Sequence, residues 1–379
     1  MSTEIMSSRE RLLAAFQSKP VDRVPVKVWS ASPWLQVWHP SFQPILDAAL
    51  AKTDLAVQWS MNTGYYMTHM DAVDLWVSDK PSTHQGYRER HEVCHTPLGD
   101  LHSVHAYSPQ HLPGRTLKYA IESVEDAKKF LSIPYVPIED DILNTSEFFA
   151  RSKALGDRGI MIAQIDFEPI YAVQMLMGSE LFAIWLLEER DLIRELVECL
   201  TKRVVDRVEY MLARGIGPVF GYYGPELCIP PLVRPQDFQE FVVEVDKRFI
   251  RLLKEAGCLL WVHCHGKMSP VIEGFMEMGV DCLNPIEPPP MGDLTLREAR
   301  EIVGDRMCLE GNIEADDMYR APREHIRELV AQAMEQARGG GFILCPTSGF
   351  MEWPFARERL VENYLTYIEA GLEHGNNFS

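Results

Sequence analysis

From residue 159 onward, short apolar runs alternate with longer stretches of helical periodicity. The runs are GIMIAQID (159–166), PVFGYYG (218–224), LLWVHCHG (259–266), CLNPIE (282–287), MCLEGNI (307–313) and GFILCPTS (341–348). Helices are expected between and after them at 192–214, 235–256, 295–303, 322–338 and 356–373. Upstream, 8–16 places Leu12, Leu13 and Phe16 on one helical face before Pro20, and 23–29 alternates as a strand does. The segment 87–107 has two alternating arms around Thr96-Pro97-Leu98-Gly99-Asp100, the pattern of a β-hairpin. Ser123-Val124-Glu125-Asp126 opens a further helix.

Strands that alternate with helices pair in parallel through right-handed crossovers, because tight turns cannot join parallel neighbours. Six apolar runs, the strand at 23–29 and one more near 71–77 make eight. The expected fold is therefore an α/β, TIM-type (β/α)8 barrel with an N-terminal helix and a β-hairpin insertion, a single domain over 1–379. Its active site would lie at the carboxyl ends of the strands. A doubly wound sheet is disfavoured, since no Gly-rich phosphate turn follows the first strand.

Composition narrows the chemistry. With 46% apolar and 24% charged residues the chain can bury a sizeable core. A net charge of −18 repels nucleic acid and anionic lipid, so neither is expected as a partner. No apolar run reaches the roughly 18 residues of a membrane span, and the amino terminus carries charges within its apolar stretch, so a cytoplasmic protein is expected. The eight cysteines are scattered without a CxxC pair, as in a chain of reduced thiols.

Polar residues collect at the strand ends. His263 and His265, two apart in a strand, point the same way, a geometry a metal ion could use. Glu287 ends the next strand, and two His with one carboxylate leave open positions, as in catalytic zinc sites and some non-haem iron sites. Cys345, at the last strand, is a further candidate ligand, or else inert packing. Asp166 with Glu168 suits acid/base work or cation binding; the alternative for Asp166 is a helix N-cap. Tyr222, Tyr223 and Glu226 surround Gly224-Pro225 in an aromatic setting that favours a substrate pocket, and Glu310 and Asn312 end another strand. Asp166, Glu226 and Tyr223 are the catalytic candidates, with Glu168, Tyr222 and Asn312 as substrate contacts. Among the hairpin histidines, His91 and His95 share a face while His102 and His105 differ in parity; solvated side chains account for them.

Assembled, these residues resemble the uroporphyrinogen decarboxylase superfamily, which includes cobalamin- and coenzyme M-linked methyltransferases. The resemblance runs from Arg9-Glu10-Arg11 and Asp22-Arg23-Val24-Pro25 to Gly311-Asn312-Ile313 and the final helix. It implies a TIM-type barrel with a deep cleft. The methyltransferase branch carries a zinc pattern H-x-C-G, a later Glu and a late Cys. Here His263, Gly266 and Glu287 match, while His265 stands at the first Cys and Ser348 at the second. Loss of both thiolates points away from thiol activation and toward a more Lewis-acidic ion. The Arg-Gln-Ala-Gly-Arg signature of the decarboxylase branch is absent after Trp29, where SASPWLQVWHPSFQP stands instead, so an octa-anionic porphyrinogen is a poor substrate. The resemblance thus implies a zinc-dependent methyltransferase or demethylase of a small molecule, with a corrinoid protein as partner. A metal-independent decarboxylase of a smaller carboxylic acid is the alternative, and a homodimer is left open.

Overall fold

In the computed structural model, which describes residues 5–61, 73–109, 113–138 and 145–375, the apolar runs form one parallel sheet. Its strands are β1 (Leu55–Ser60), β6 (Gly159–Phe167), β7 (Val219–Tyr223), β8 (Leu259–His263), β9 (Cys282–Asn284), β10 (Cys308–Ile313) and β11 (Phe342–Pro346), in that order. The other four, β2 (Asp74–Pro81), β3 (Arg88–Thr96), β4 (Gly99–Tyr107) and β5 (Arg115–Lys118), make an antiparallel sheet. The hairpin expected at 87–107 is β3 and β4, with Thr96 opposite Gly99.

The seven-stranded sheet is curled and TIM-barrel-like. The extended segment 24–28 lies between its outer strands: Val26 bridges Leu344, Lys27 N–H donates to Leu344 O at 2.9 Å, and Asp54 N–H donates to Val26 O at 2.8 Å. Asp54, completely buried, holds this seam by accepting from the Val26 N–H and from the guanidiniums of Arg11 and Arg23. One expectation is corrected here. The strand beside β6 is not near 71–77 but β1, a six-residue stretch of mixed polarity. Leu55, Val57 and Trp59 of β1 are buried, whereas β2, which contains Asp74 to Val77, is largely exposed and pairs antiparallel. Asp71 and Ala72 lie outside the described residues.

Helix Ser8–Phe16 starts at a capping box between Ser7 and Glu10. Its Leu12, Ala15 and Phe16 pack on Ile160, Ile162, Val219, Trp261, Cys282, Cys308 and Ile343, the inner side of the sheet near its amino-terminal end. The outer side packs against the helices through a second, larger cluster. The inner side is therefore filled below and polar above. No single described helix is long and apolar enough to cross a membrane.

Candidate active site at the carboxyl ends of the strands

Parallel register sets neighbouring inward residues side by side. Tyr223 pairs with His263, His263 with Asn284, and Cys308 with Cys282, which brings Glu310 beside Asn284. These side chains form one buried chain of hydrogen bonds. Lys27 Nζ donates to Glu310 Oε1 at 2.6 Å, Trp261 Nε1 donates to Glu310 Oε2 at 3.0 Å, and Asn284 Nδ2 donates to Glu310 Oε1 at 2.8 Å. The amide orientation of Asn284 is thereby set, so its Oδ1 must accept from His263 Nδ1, 2.7 Å away. His263 is thus the Nδ1–H tautomer with the Nε2 lone pair free. Burial, with help from the neighbouring His265 charge, holds its pKa down to about 3, so the ring is neutral.

His265 lies just beyond the strand, its ring perpendicular to that of His263 with centroids 4.5 Å apart. Its Nδ1 is 2.7 Å from Glu287 Oε1, and Glu287 Oε2 accepts from the Gly266 N–H at 2.7 Å. Burial works against protonating His265, but the Glu287 bond and the charges of Glu287, Glu226 and Glu314 outweigh it and raise its pKa. Glu226, in the turn after β7, is pushed up by burial and by Glu287, and its Oε2 is buried without a partner among the described residues. Glu314, after β10, is pushed up to about 7 by burial and the Glu287 charge; its Oε1 is likewise unpartnered. Trp29 and Tyr223 wall His263 at ring distances of 4.8 and 5.2 Å. The arrangement joins a neutral imidazole with a free nitrogen, a second imidazole whose pKa is raised by its Glu287 partner, and two carboxyls whose pKa values are raised by burial.

The expected residues divide between this site and the layers behind it. His263, His265, Glu287, Glu226 and Tyr223 are brought together, and Asn312 stands half-buried on β10 above Glu310. Tyr222 faces outward instead: it is completely buried and donates to Asp246 Oδ2 at 2.9 Å. Glu168 is also fully buried, and its two carboxylate oxygens cap helix Pro169–Met177 by accepting from the Ile170 and Tyr171 N–H groups. The cap expected of Asp166 is thus made by Glu168, while the Asp166 side chain lies outside what the structure describes. Cys345, the further candidate ligand, is fully buried beside Glu310 and Lys27, and burial pushes its thiol pKa well up.

Among the described residues no three His, Cys, Asp or Glu side chains gather to hold a metal ion. Both oxygens of Glu287 are engaged, with His265 and Gly266. The donor chemistry fits a metal on narrower terms. Each imidazole is held at Nδ1 by an oxygen acceptor, Asn284 or Glu287, which is how metal-binding histidines are oriented so that Nε2 can ligate. Residue-by-residue reading missed Lys27, Asn284 and Glu314 and did not give Glu310 a part. Asn284 and Glu314 were in reach, since one sits two residues into β9 and the other directly follows Asn312-Ile313 at a strand end.

A family model described as uroporphyrinogen decarboxylase (URO-D) matches residues 153–352. Among curated proteins, the methylcobamide:CoM methyltransferase MtaA of Methanosarcina barkeri is 23% identical over 182 residues, 48% of this chain and 50% of that protein. The chain thus spans about half the length of that curated relative. Among solved structures, a methyltransferase from Methanosarcina mazei has the same fold, with a TM-score of 0.61 at 16% identity over 97% of this chain and 99% of that one.

Proposed function

Because this chain belongs to the uroporphyrinogen decarboxylase family and has methyltransferase relatives, we propose that it is a metal-dependent methyltransferase or demethylase of a small substrate. The observation that carries the reading is the pair of adjacent imidazoles, each held at Nδ1 and each with Nε2 free. In this reading the whole chain is one (β/α)8 domain, with 24–28 as the eighth strand and the antiparallel sheet as an insertion. His263 and His265 would hold zinc through Nε2, with Glu287 orienting His265 or exchanging that bond for the ion, and the ion would supply Lewis acidity toward the heteroatom that carries or receives the methyl group.

The chain's own residues do the rest. Asn284 keeps His263 in one tautomer, and the Lys27–Glu310 pair keeps Asn284 in one orientation. Glu226 and Glu314 hold or release a proton at the edge of the site, and Asn312 and Tyr223 contact the substrate. The relative's name states action on a methylcobamide, which supports a corrinoid-bearing protein as the partner. Zinc retained stoichiometrically by the purified protein, lost in His263→Ala and His265→Ala, together with demethylation of methylcobalamin that stops on chelation, is the expected result.

A second reading, a metal-independent decarboxylase of a carboxylic acid, draws on the opposite pKa displacements of His263 and His265 beside Glu226, an acid/base set that needs no ion. Negligible zinc in both wild type and His263→Ala, with full turnover after exhaustive chelation, would put this reading in place of the first.

A further inference from the structure

The seam where the extended segment 24–28 meets β1 leaves open space above its packed base. Strand alternation turns Lys27, Trp29, Ala56 and Gln58 toward the inner side, and among them lies a cavity of about 160 Å³ with Ser30 and Ser32 at its lip. A cavity of about 150 Å³ in a protein core is large enough to take up benzene. This one therefore has room for a single six-membered ring.

Its walls are fixed before anything binds. Gly349, in the loop after β11, comes so close that a Cβ there would lie 3.1 Å from Trp29 Cδ1, and Trp261, His263 and the Lys27 ammonium surround the same ring at 5.8, 4.8 and 5.2 Å. Trp29 is thus a rigid aromatic wall. Ser30 follows at φ +61°, a left-handed conformation unfavourable for a residue with a Cβ, and this bend ends the extended segment where the cavity opens. On the β1 side stands Gln58, whose amide meets the Tyr223 hydroxyl. The cavity therefore adjoins His263 through Trp29 and Tyr223, which both pack on that imidazole.

Charge narrows the occupant. Among the residues lining the cavity Lys27 alone is charged, and Glu310 Oε1 at 2.6 Å neutralises it. An ion entering would leave water with no countercharge to receive it. An uncharged ring instead buries apolar surface on Trp29 and Ala56 and satisfies one oxygen substituent on the Gln58 amide or the serine hydroxyls.

We infer that this cavity is the ring subsite for the substrate, and that it takes a single uncharged aromatic ring carrying a hydroxyl or ether oxygen, the chemistry of a phenol or an aryl methyl ether. The inference rests on the proposed function only for what happens to the substituent of the ring. Binding itself needs neither metal nor partner.

Calorimetric titration of the full chain at neutral pH with phenol, anisole, toluene, benzoate and benzylamine tests it, in wild type, Ala56→Leu and Gln58→Leu. Phenol and anisole should bind wild type saturably and at least about tenfold more tightly than the two ions. Ala56→Leu fills the cavity and should abolish binding of both. Gln58→Leu should still accept a ring but lose the preference for phenol over toluene, and it carries the test if Ala56→Leu does not fold. Exhaustively chelated protein should bind phenol as untreated protein does, so failure of the metal reading would leave this result standing. Absence of saturable phenol binding, benzoate or toluene bound by wild type as tightly as phenol, or phenol bound equally by wild type and both variants would each overturn it.

Discussion

Glu310 is 1% exposed and accepts from Lys27, Trp261 and Asn284, so its charge is stabilised wholly by donors inside the protein. Removing the cation strands that charge. Lys27→Met should lower stability in chemical denaturation by about 3–5 kcal/mol, and adding Glu310→Gln should restore much of it, because a neutral amide no longer needs the cation. Asn284→Ala acts differently, since it frees His263 Nδ1 and with it the choice of tautomer. Activity should fall about 10- to 100-fold, as when an orienting partner of a functional imidazole is removed; unchanged kcat/KM would show that the tautomer is immaterial. His263, His265 and Glu287 were legible in sequence because they sit within one stretch at strand ends. Lys27 was not, since its partner Glu310 lies 283 residues away and only folding makes them neighbours.

At the scale of elements, strand alternation sorts two adjacent tyrosines. Tyr223 shares the inner side with His263, while Tyr222 points outward to Asp246 and stacks edge-on against Phe249. Tyr222→Phe should therefore cost about 1–3 kcal/mol of stability and leave turnover intact, through the bond lost by the buried Asp246. Tyr223→Phe should show the reverse, a kinetic defect with little change in Tm. Equal kinetic defects would mean that the outer layer transmits to the site. The tyrosine pair was visible in sequence, but its division was not: both lie in one five-residue strand, and the sign of the alternation depends on which side faces the helices. Similarly, β1 escaped notice because LAVQWS is short and mixed, and it becomes a strand only when Asp54 and the segment 24–28 fix its edge.

At the scale of the molecule, the helix-side layer contains a pair of buried carboxyls, Glu168 and Asp246. Burial pushes Glu168 up to about 8 and Asp246 well above its ordinary value, against the two N–H bonds that favour the Glu168 anion. A carboxyl whose pKa is raised on folding binds its proton more tightly in the native state, so it contributes full stability below the unfolded value near 4.5 and loses it as pH climbs toward 8. Denaturation midpoints should accordingly fall between pH 5 and about pH 8. Glu168→Gln should flatten that slope, whereas a slope that persists in the variant would assign it to other groups. The alternation of apolar runs and helical segments by itself determined the parallel α/β architecture, and strand-end position by itself marked His263, His265, Glu287 and Glu226, because period and chain direction are local properties. Tertiary structure alone decided that Glu168 caps a helix, that Cys345 is fully buried beside Glu310, and that Lys27 and Asn284 govern His263. Those outcomes depend on which groups lose water and which partner replaces it, and that is settled only when distant segments close around the same space.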